Sequence, residues 1–523
     1  MSEKRQIARA AGILGFATTL SRILGMVRDM VVSRLFGAGF ATDAFFAAFM
    51  IPNMLRRFFA EGALTAAFVP TFAERMEKEG RDAAKELANI CCTLLTIVMA
   101  AVTAAGIIFS PWIVGVMFPG FAAQPQKLEL TILLNRLMFP YLFFISLVAL
   151  CMGILNTVRH FFTPAISTVF LNLAMIACAL LLHSSFAVPI MALAVGVLLG
   201  GFLQLALQLP VLWRLGFPLR PNFNFREPAL HRIALLMGPA TFGVGVYYLN
   251  ITVSNILASL LPQGSVSYLY YAQRLFEFPQ GIFTVSVAQA VLPTMSRQAA
   301  LGDTVGMKDS LNFSLRLTLF VTVPAIFGLM ACSVPLFSLI FMGGAFDYNA
   351  AVQSGEALFW YSFGLSFVAL SRVLPPAFYA LKDTRTPVIT AFVAFLLNVV
   401  FSLLLMKPLL HGGLALATTL SALANMLLLL WLLRRKIGPF GGRAIAVTAG
   451  KALIAALPMA VLVHFLLKLA DWSVTGQGLW KSLILGSAVT GGMALFFAMA
   501  LLLRCHEARY FADAVRRKLG RGK

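Results

Sequence analysis

The amino-acid sequence predicts an all-α integral membrane protein, because the chain is strongly apolar, its apolar runs have helical length, and its basic residues recur at intervals. Hydrophobic residues make up 60% of the 523 residues and charged residues only 12%, whereas soluble domains are about half apolar and about a quarter charged. A spanning helix needs roughly 20 apolar residues, which leaves room for about fourteen. Such runs are too long for the strands of a membrane barrel.

The apolar runs place fourteen predicted spans along nearly the whole chain. They lie near 10–34, 42–72, 88–118, 130–156, 162–183, 188–213, 232–261, 266–296, 312–342, 352–381, 385–406, 412–435, 445–469 and 479–504. Several of these runs exceed the length that one perpendicular helix needs, so tilts, kinks or extensions beyond the bilayer are expected.

Basic residues cluster in alternate connections between the predicted spans. Lys4 and Arg5 precede the first span, and a basic tail follows the last one. The connections in between, such as 37–41 and 343–349, contain neither Lys nor Arg. This is the positive-inside pattern of an inner-membrane protein, and it predicts that both termini lie in the cytoplasm. Because these loops account for the net charge of +21, nucleic-acid binding is not expected.

Cysteine and histidine show no pattern that is typical of a catalytic or metal site. The six cysteines have no metal-ligand spacing, and five of them lie in apolar runs, where cysteine behaves as a small hydrophobe. The six histidines are scattered. We therefore expect neither an enzyme nor a resident metal or cofactor.

The two halves of the chain resemble each other at an offset of about 220 residues. The matching segments, in chain order, are Val69–Thr71 and Leu292–Thr294, Ser146–Leu150 and Ser366–Leu370, Thr163–Pro164 and Thr386–Pro387, Leu171–Asn172 and Leu397–Asn398, and Ala192–Ala194 and Ala415–Ala417. Internal repeats around a central site are typical of transporters. The repeat predicts a six-helix N-lobe (1–217), a six-helix C-lobe (218–440), a C-terminal helix pair (441–504) and a basic cytoplasmic tail (505–523).

Charged and polar side chains interrupt three of the predicted spans. Arg56 and Arg57 have apolar sequence on both sides, and a charge at the centre of a bilayer costs ~3 kcal/mol or more. Such residues face a protein interior or a wet cavity, and helical spacing places them on shared faces. The candidate site residues are Ser21, Arg22 and Arg28 in span one, Asp43, Asn53 and Arg56 in span two, and Ser267, Arg274 and Glu277 in span eight.

These arginines, drawn from two related lobes, predict one cationic cavity. The planar guanidinium group stays charged and binds phosphate oxygens in a bidentate way. We therefore infer a substrate that is a phosphate-bearing or otherwise anionic amphiphile.

The charged candidate residues also have purely structural interpretations. The alternatives are pairing of Arg274 with Glu277, pairing of Arg56 or Arg57 with Glu61, an interfacial position for Arg22 and Arg28, and an N-cap role for Asp43. In addition, Gly25 could break the first span, and Pro52, which lacks a backbone donor, is expected to kink the second.

The same segments resemble the MurJ (MviN) family. The resemblance rests on SRILGMVRD at 21–29, FGAGFATDAFF at 36–46, PNMLRRFFAEG at 52–62, FVP at 68–70, PGF at 119–121 and GSVSYLYYAQRLFEFP at 264–279, and it extends over almost the whole chain. It implies a fourteen-helix fold of the MOP exporter superfamily. It also implies a flippase that moves lipid II, the undecaprenyl-pyrophosphate-linked precursor of peptidoglycan, from the cytoplasmic to the periplasmic leaflet of the bacterial inner membrane.

The resemblance further implies roles for individual residues. Arg22, Arg28, Arg56 and Arg274 would line the central cavity and contact the head group. Asp43 matches an acidic residue that the family needs, Glu277 lies beside Arg274 in the same motif, and the pair 445–504 would form a groove for the polyprenyl tail. Gln273 is a departure, because relatives often carry an acid there, which would leave Arg274 less neutralised.

The implied partners are lipid II, membrane lipids and the cell-wall synthesis machinery, and the expected driving force is the membrane potential. Some relatives bind sodium through acids in spans seven and eleven, but 232–261 and 385–406 contain no Asp or Glu, so no sodium site is expected. A flippase for another pyrophosphate-linked lipid oligosaccharide remains a chemical alternative. A drug exporter is disfavoured because such proteins tend to use carboxylates for cations.

Overall fold

The computed structural model describes residues 3–57, 64–281 and 285–520, and these residues are almost entirely helical. Their contacts divide the chain into two compact units, Met1–Val266 and Ser267–Lys523. The division falls within the first turn of the helix Ser265–Pro279. The lobe boundaries at 217 and 440 stay a prediction from the sequence repeat.

In its described residues, the first unit contains ten helices joined by short connections and two 3₁₀ turns (Pro119–Ala123 and His183–Ser185). The helices are α1 (Glu3–Phe36), α2 (Phe40–Arg56), α3 (Thr65–Lys78), α4 (Arg81–Ile108), α5 (Ser110–Met117), α6 (Pro125–Met138), α7 (Pro140–Thr157), α8 (Phe162–Leu182), α9 (Met191–Arg214) and α10 (Pro228–Ser259).

The remaining helices belong to the second unit, apart from the first residues of α11. They are α11 (Ser265–Pro279), α12 (Val285–Ala300), α13 (Thr304–Ala331), α14 (Ser333–Ile340), α15 (Tyr348–Phe363), α16 (Leu365–Val373), α17 (Pro375–Ala380), α18 (Arg385–Ile437), α19 (Gly442–Leu467), α20 (Gly478–Leu502) and α21 (His506–Gly520).

Each of the fourteen predicted spans is mainly helical in its described residues, although turns interrupt some of them, so the helical fold class is confirmed. By length and hydropathy, however, eight helices of the described chain could cross a membrane, or nine if the pair Tyr348–Phe363 and Leu365–Ala380, bent by 45°, is one span. The predicted number of fourteen is not confirmed. Helices α1, α2 and α11 carry the charged residues of the candidate site, which lowers their hydropathy.

The structure can be compared with the expected break at Gly25, the expected kink at Pro52 and the predicted boundary between spans eleven and twelve. A break at Gly25 is wrong, because α1 runs unbroken from Glu3 to Phe36. Helix α2 continues through Pro52 and ends at Arg56. Predicted spans eleven and twelve form the single run α18, within which Leu410 has a non-helical backbone (φ 48°, ψ −131°); this residue marks the junction of the two predicted spans.

The sequence repeat has a local structural counterpart in each unit. Ser167 and Thr390 each donate a hydrogen bond to the carbonyl of the proline three residues earlier, at 2.9 and 3.1 Å. Asn172 and Asn398, which follow on α8 and α18, are both buried. The C-terminal ends of α9 and α18 are also alike. Gly216 and Gly438, which follow these helices, have φ values of 78° and 79°, which glycine adopts without steric cost.

The C-terminal helices pack on α13 through an aromatic core. Phe320 of α13 is buried and contacts Phe496 and Phe497 of α20 and Phe511 of α21, with ring centroids 5.3, 5.8 and 6.0 Å away. A polar link lies beside this core. Arg316 pairs with the buried Glu507 of α21 at 2.5 Å and donates to Thr448 of α19 at 3.0 Å.

Replacing Arg316 by methionine is expected to lower the free energy of unfolding by about 3 kcal/mol, because Glu507 then stays buried without its cation. Thermal unfolding of the detergent-solubilised protein measures this loss. Lys85→Met is the matched control: Lys85 pairs with Asp82, whose side chain is 95% exposed, so the expected loss is below about 1 kcal/mol. Equal losses in the two variants would contradict a structural role for the buried pair.

Asp383 connects the two ends of α18. Its carboxylate accepts hydrogen bonds from Lys436 Nζ at 2.6 Å and from the backbone N and Oγ1 of Thr386 at 3.0 and 2.7 Å. The Lys436 ammonium group, followed by the Thr386 donors, lowers the pKa of Asp383 from its ordinary value of 3.8 to about 2.

The lowered pKa of Asp383 predicts a pH-dependent contribution to stability. Protonation must occur in the folded state at a lower pH than in the unfolded state, so the contribution is fully present above about pH 5 and is lost as the pH falls towards 2. Thermal unfolding of the protein and of Asp383→Asn as a function of pH checks this. The difference between them should be constant above about pH 5 and shrink at lower pH; a difference that grows on acidification would contradict the assignment.

Candidate functional site

Arg28 and Asp29 form a buried ion pair on α1. Arg28 is 7% exposed and Asp29 is 3% exposed. Nη2 and Nε of Arg28 lie 2.7 and 3.0 Å from Oδ1 of Asp29, and Nη1 donates to Oδ1 of Asn172 on α8 at 3.1 Å. Buried charges are tolerated when they are paired and hydrogen-bonded. The structure therefore places the Arg28 guanidinium inside the first unit, in an orientation fixed from two sides.

The other two α1 candidates differ from Arg28 in their environments. Asn172 donates from Nδ2 to the carbonyl oxygen of Ser21 at 3.2 Å, so Ser21 joins the same network through its backbone. Arg22 is exposed, and among the described residues of the chain it has no ion pair. An interfacial position for Arg22 stays a prediction, whereas Arg28 is covered by protein.

Asp43 lies in the first turn of α2 and is almost completely buried. Its Oδ2 is 2.8 Å from Nζ of Lys127 on α6, and it accepts a hydrogen bond from the backbone N of Gly264 at 2.7 Å. The Lys127 ammonium group is also 4.5 Å from the centroid of the Phe121 ring. The expected alternative, an N-cap role, is wrong because Gly39 occupies the N-cap.

Asn53 and Arg56 lie one turn apart at the C-terminal end of α2. Nε of Arg56 donates to Oδ1 of Asn53 at 3.1 Å, and both side chains are partly exposed. The helical spacing that predicted a shared face for these two residues is confirmed. Glu61, the alternative partner, lies outside the described residues.

The second unit holds the three α11 candidates. Nη2 of Arg274 donates to the hydroxyl of Tyr270 at 3.1 Å, and its guanidinium carbon is 5.1 Å from the centroid of that ring. Glu277 is 3.8 Å from Arg274 Nη1 and accepts a hydrogen bond from Gln273 at 3.2 Å. The alternative of an Arg274–Glu277 pair is thus present, though at a distance close to the limit for an ion pair.

Both charges of the α11 pair are partly accessible, in contrast to the Arg28–Asp29 pair on α1. The side chain of Arg274 is 36% exposed and that of Glu277 is 45% exposed. Ser267, by contrast, is fully buried. A partly exposed guanidinium group can form strong charge-assisted hydrogen bonds with an anion such as phosphate.

The structure therefore brings some of the candidates together and leaves others apart. Within the first unit, Ser21, Arg28 and Asn172 form one hydrogen-bonded network, Asn53 and Arg56 form another, and Asp43 belongs to the Lys127 pair. Arg274 and Glu277 form a group of their own within the second unit. A single cavity that all of them share stays a prediction.

Lys127 and Asn172, which contribute to these networks from α6 and α8, were not among the sequence-based candidates. Lys127 lies at the start of α6, where the sequence Pro-Gln-Lys-Leu-Glu resembles an ordinary polar connection. One sequence feature could have identified Lys127: the connections predicted to lie on the periplasmic side contain few Lys or Arg residues. In the sequence, Asn172 stands out only as a position of the internal repeat. A buried amide within an apolar helix must nevertheless find hydrogen-bond partners.

A comparison with protein-family models matches residues 32–481 to "Lipid II flippase MurJ". Among curated relatives, the probable lipid II flippase MurJ of Vibrio cholerae is 35% identical over 507 residues, covering 95% of this chain and 96% of the relative. The lipid II flippase MurJ of Burkholderia cenocepacia is 35% identical over 496 residues, covering 93% and 95% of the two chains.

The comparison with solved structures concerns the fold, at lower sequence identity. A solved lipid II flippase MurJ in an inward closed conformation has a TM-score of 0.76 and 24% identity, with 94% of this chain and 98% of that chain covered. An inward-facing multidrug resistance MATE transporter of the MOP superfamily has a TM-score of 0.67 and 14% identity, covering 81% and 96%. At these identities the likeness supports the fold alone. From the family match and the relatives, this chain belongs to the lipid II flippase MurJ family.

Proposed function

We propose that this chain moves lipid II across the bacterial inner membrane, from the cytoplasmic to the periplasmic leaflet. The chain is a multi-pass membrane protein and a transporter rather than a catalyst, as its family membership and its apolar helices indicate. Its positive-inside charge pattern supports an orientation with both termini in the cytoplasm.

The observation that carries the proposal is the fixed guanidinium group of Arg28 inside a helix bundle. A charge in this setting is costly and marks a substrate or ion pathway. The pyrophosphate of lipid II carries anionic oxygens that a guanidinium group binds in a bidentate way. Arg22, Arg56 and Arg274, which are all at least partly exposed, would supply further cationic contacts to the head group.

We further propose that transport occurs by alternating access, with the polyprenyl tail remaining in lipid along α19 and α20. Both helices expose large apolar side chains, including Leu457, Val461 and Phe465 on α19 and Leu483 and Met493 on α20. A net positive cavity would respond to the membrane potential, at about 2.3 kcal/mol per charge per 100 mV. In this scheme the potential favours return of the empty cavity to the cytoplasmic side.

Depletion of the protein in cells tests the transport function. Lipid II is expected to accumulate, and its accessibility to a reagent added from the periplasmic side should fall. Unchanged periplasmic accessibility, in a strain without a redundant flippase, would refute the proposal.

Reconstitution into vesicles tests the choice of substrate. Purified protein should move labelled lipid II between leaflets faster than it moves a polyprenyl-pyrophosphate carrying an unrelated oligosaccharide. The reverse preference would favour the alternative of another pyrophosphate-linked substrate. Dissipating the membrane potential in the same vesicles should slow repeated turnover if the potential resets the cavity.

A further inference from the structure

The connection between α9 and α10, residues 215–227, is fastened along the side of α4. The backbone N of Arg220 donates to Asn89 Oδ1, and the backbone N of Asn222 donates to Thr93 Oγ1, each at 2.9 Å. Near the start of this linker, the guanidinium group of Arg81 lies 5.0 Å from the centroid of the Phe217 ring. The linker is therefore held against one helix over most of its length.

These hydrogen bonds determine the depth at which the linker lies. Asn89 and Thr93 follow Arg81, the first residue of α4, by eight and twelve residues, which is about 12 and about 18 Å along the helix axis. Both come after Glu86, the last charged residue of α4, and α4 is apolar enough to span a membrane. The linker thus runs beside the beginning of the apolar part of α4, where the surface of a bilayer would lie.

The linker presents aromatic and cationic side chains at this depth. Phe223 and Phe225 are 67% and 41% exposed, and their ring centroids are 6.1 Å apart. Arg220 and Arg226 are exposed on either side of them. Within residues 215–227 the acid is Glu227, and it is paired with Arg75 at 2.6 Å. The exposed part of the linker is consequently positive as well as apolar.

We propose that Arg220, Phe223, Phe225 and Arg226, the linker surface, bind the anionic phospholipid head groups of the cytoplasmic leaflet. Aromatic rings are favoured at the level of the head groups, and arginines close to the membrane are attracted to anionic lipids. Because the linker is fastened to a membrane-spanning helix at this depth, the surface meets lipid rather than a soluble partner. The inference is independent of lipid II transport; it rests on the membrane position of α4 and on the proposed orientation.

Hydrogen–deuterium exchange of the full chain in nanodiscs tests the linker surface. Nanodiscs of phosphatidylcholine are compared with nanodiscs of phosphatidylcholine mixed with phosphatidylglycerol, and exchange is followed in peptides covering 217–227. The linker amides are expected to exchange more slowly in the anionic discs, by at least about fivefold, the factor that corresponds to one arginine at the membrane surface. Equal exchange in the two lipids would overturn the proposal.

Variants separate the contribution of charge from that of the aromatic rings. R220Q/R226Q should lose the difference between the two lipids, whereas F223S/F225S should exchange faster in both. The matched control is R434Q/R443Q, which removes two exposed arginines at other predicted cytoplasmic helix ends and should keep the difference. Loss of the difference in this control, or equal protection by inorganic phosphate in phosphatidylcholine discs, would show that the linker is not a specific lipid surface.

Discussion

Arg28→Ala is expected to abolish flipping of lipid II and to fail to complement a depleted strain. The substitution removes a guanidinium group whose position is fixed by Asp29 and Asn172, and therefore removes the buried cation on which the proposed function rests. Arg28→Lys keeps the charge but loses the planar bidentate fork. We therefore expect the transport rate to fall by at least about tenfold, which corresponds to a loss of about 1.4 kcal/mol. Flipping in vesicles, at equal amounts of folded protein, measures both.

Loss of stability has to be separated from loss of function in this experiment. Arg28→Ala leaves Asp29 buried without a cation, which costs about 3–5 kcal/mol. The double variant Arg28→Ala/Asp29→Ala removes both charges and should recover most of the stability but none of the transport. Arg297→Ala, at an exposed arginine of α12, is the control for loss of one positive charge. Transport by the stable double variant would exclude Arg28 from head-group binding.

Lys127→Met is expected to lower the free energy of unfolding by about 3–5 kcal/mol, because it leaves the carboxylate of Asp43 buried without its cation. The two side chains are 4% and 1% exposed, so water cannot compensate for the loss. Asp43→Asn should produce a loss of similar size by leaving the Lys127 ammonium group unpaired. Thermal or denaturant unfolding in detergent provides the measurement.

The double variant Asp43→Asn/Lys127→Met completes the cycle. Its loss should be clearly smaller than the sum of the two single losses, since residues of one ion pair are strongly coupled. Lys78→Met provides the control, because Lys78 is 71% exposed in its pair with Glu74 and should cost less than about 1 kcal/mol. Strictly additive losses would mean that Asp43 and Lys127 act independently.

The fold class could be predicted from the sequence because membrane helices are specified locally. Apolar length alone located α4, α8, α9 and α13, and no distant residue was needed. The span count was harder to establish, since α1 and α11 carry the polar residues that lower hydropathy. The junction at Leu410, by contrast, falls between predicted spans eleven and twelve, so apolar length located it although the flanking helices merge into one helical run.

The candidate site could be predicted only in part, for a related reason. Helical periodicity correctly put Asn53 and Arg56 on one face, because both lie on the same helix. It could not reveal that Arg28 bonds to Asn172, since the two are 144 residues apart and only tertiary packing brings them together. The Asp43–Lys127 pair was missed for the same reason, as it joins α2 to α6.

The adjacency of Asp29 to Arg28 has a consequence for how the protein is made. At a synthesis rate of about 5–20 residues per second, Asn172 emerges from the ribosome roughly 7–30 s after Arg28. The first helix must therefore enter the bilayer before its partner helix exists. Asp29, the next residue in the chain, is available to neutralise Arg28 throughout this interval. Asp29→Asn should accordingly reduce the yield of membrane-inserted chains at an early stage of biogenesis, before any substrate is encountered.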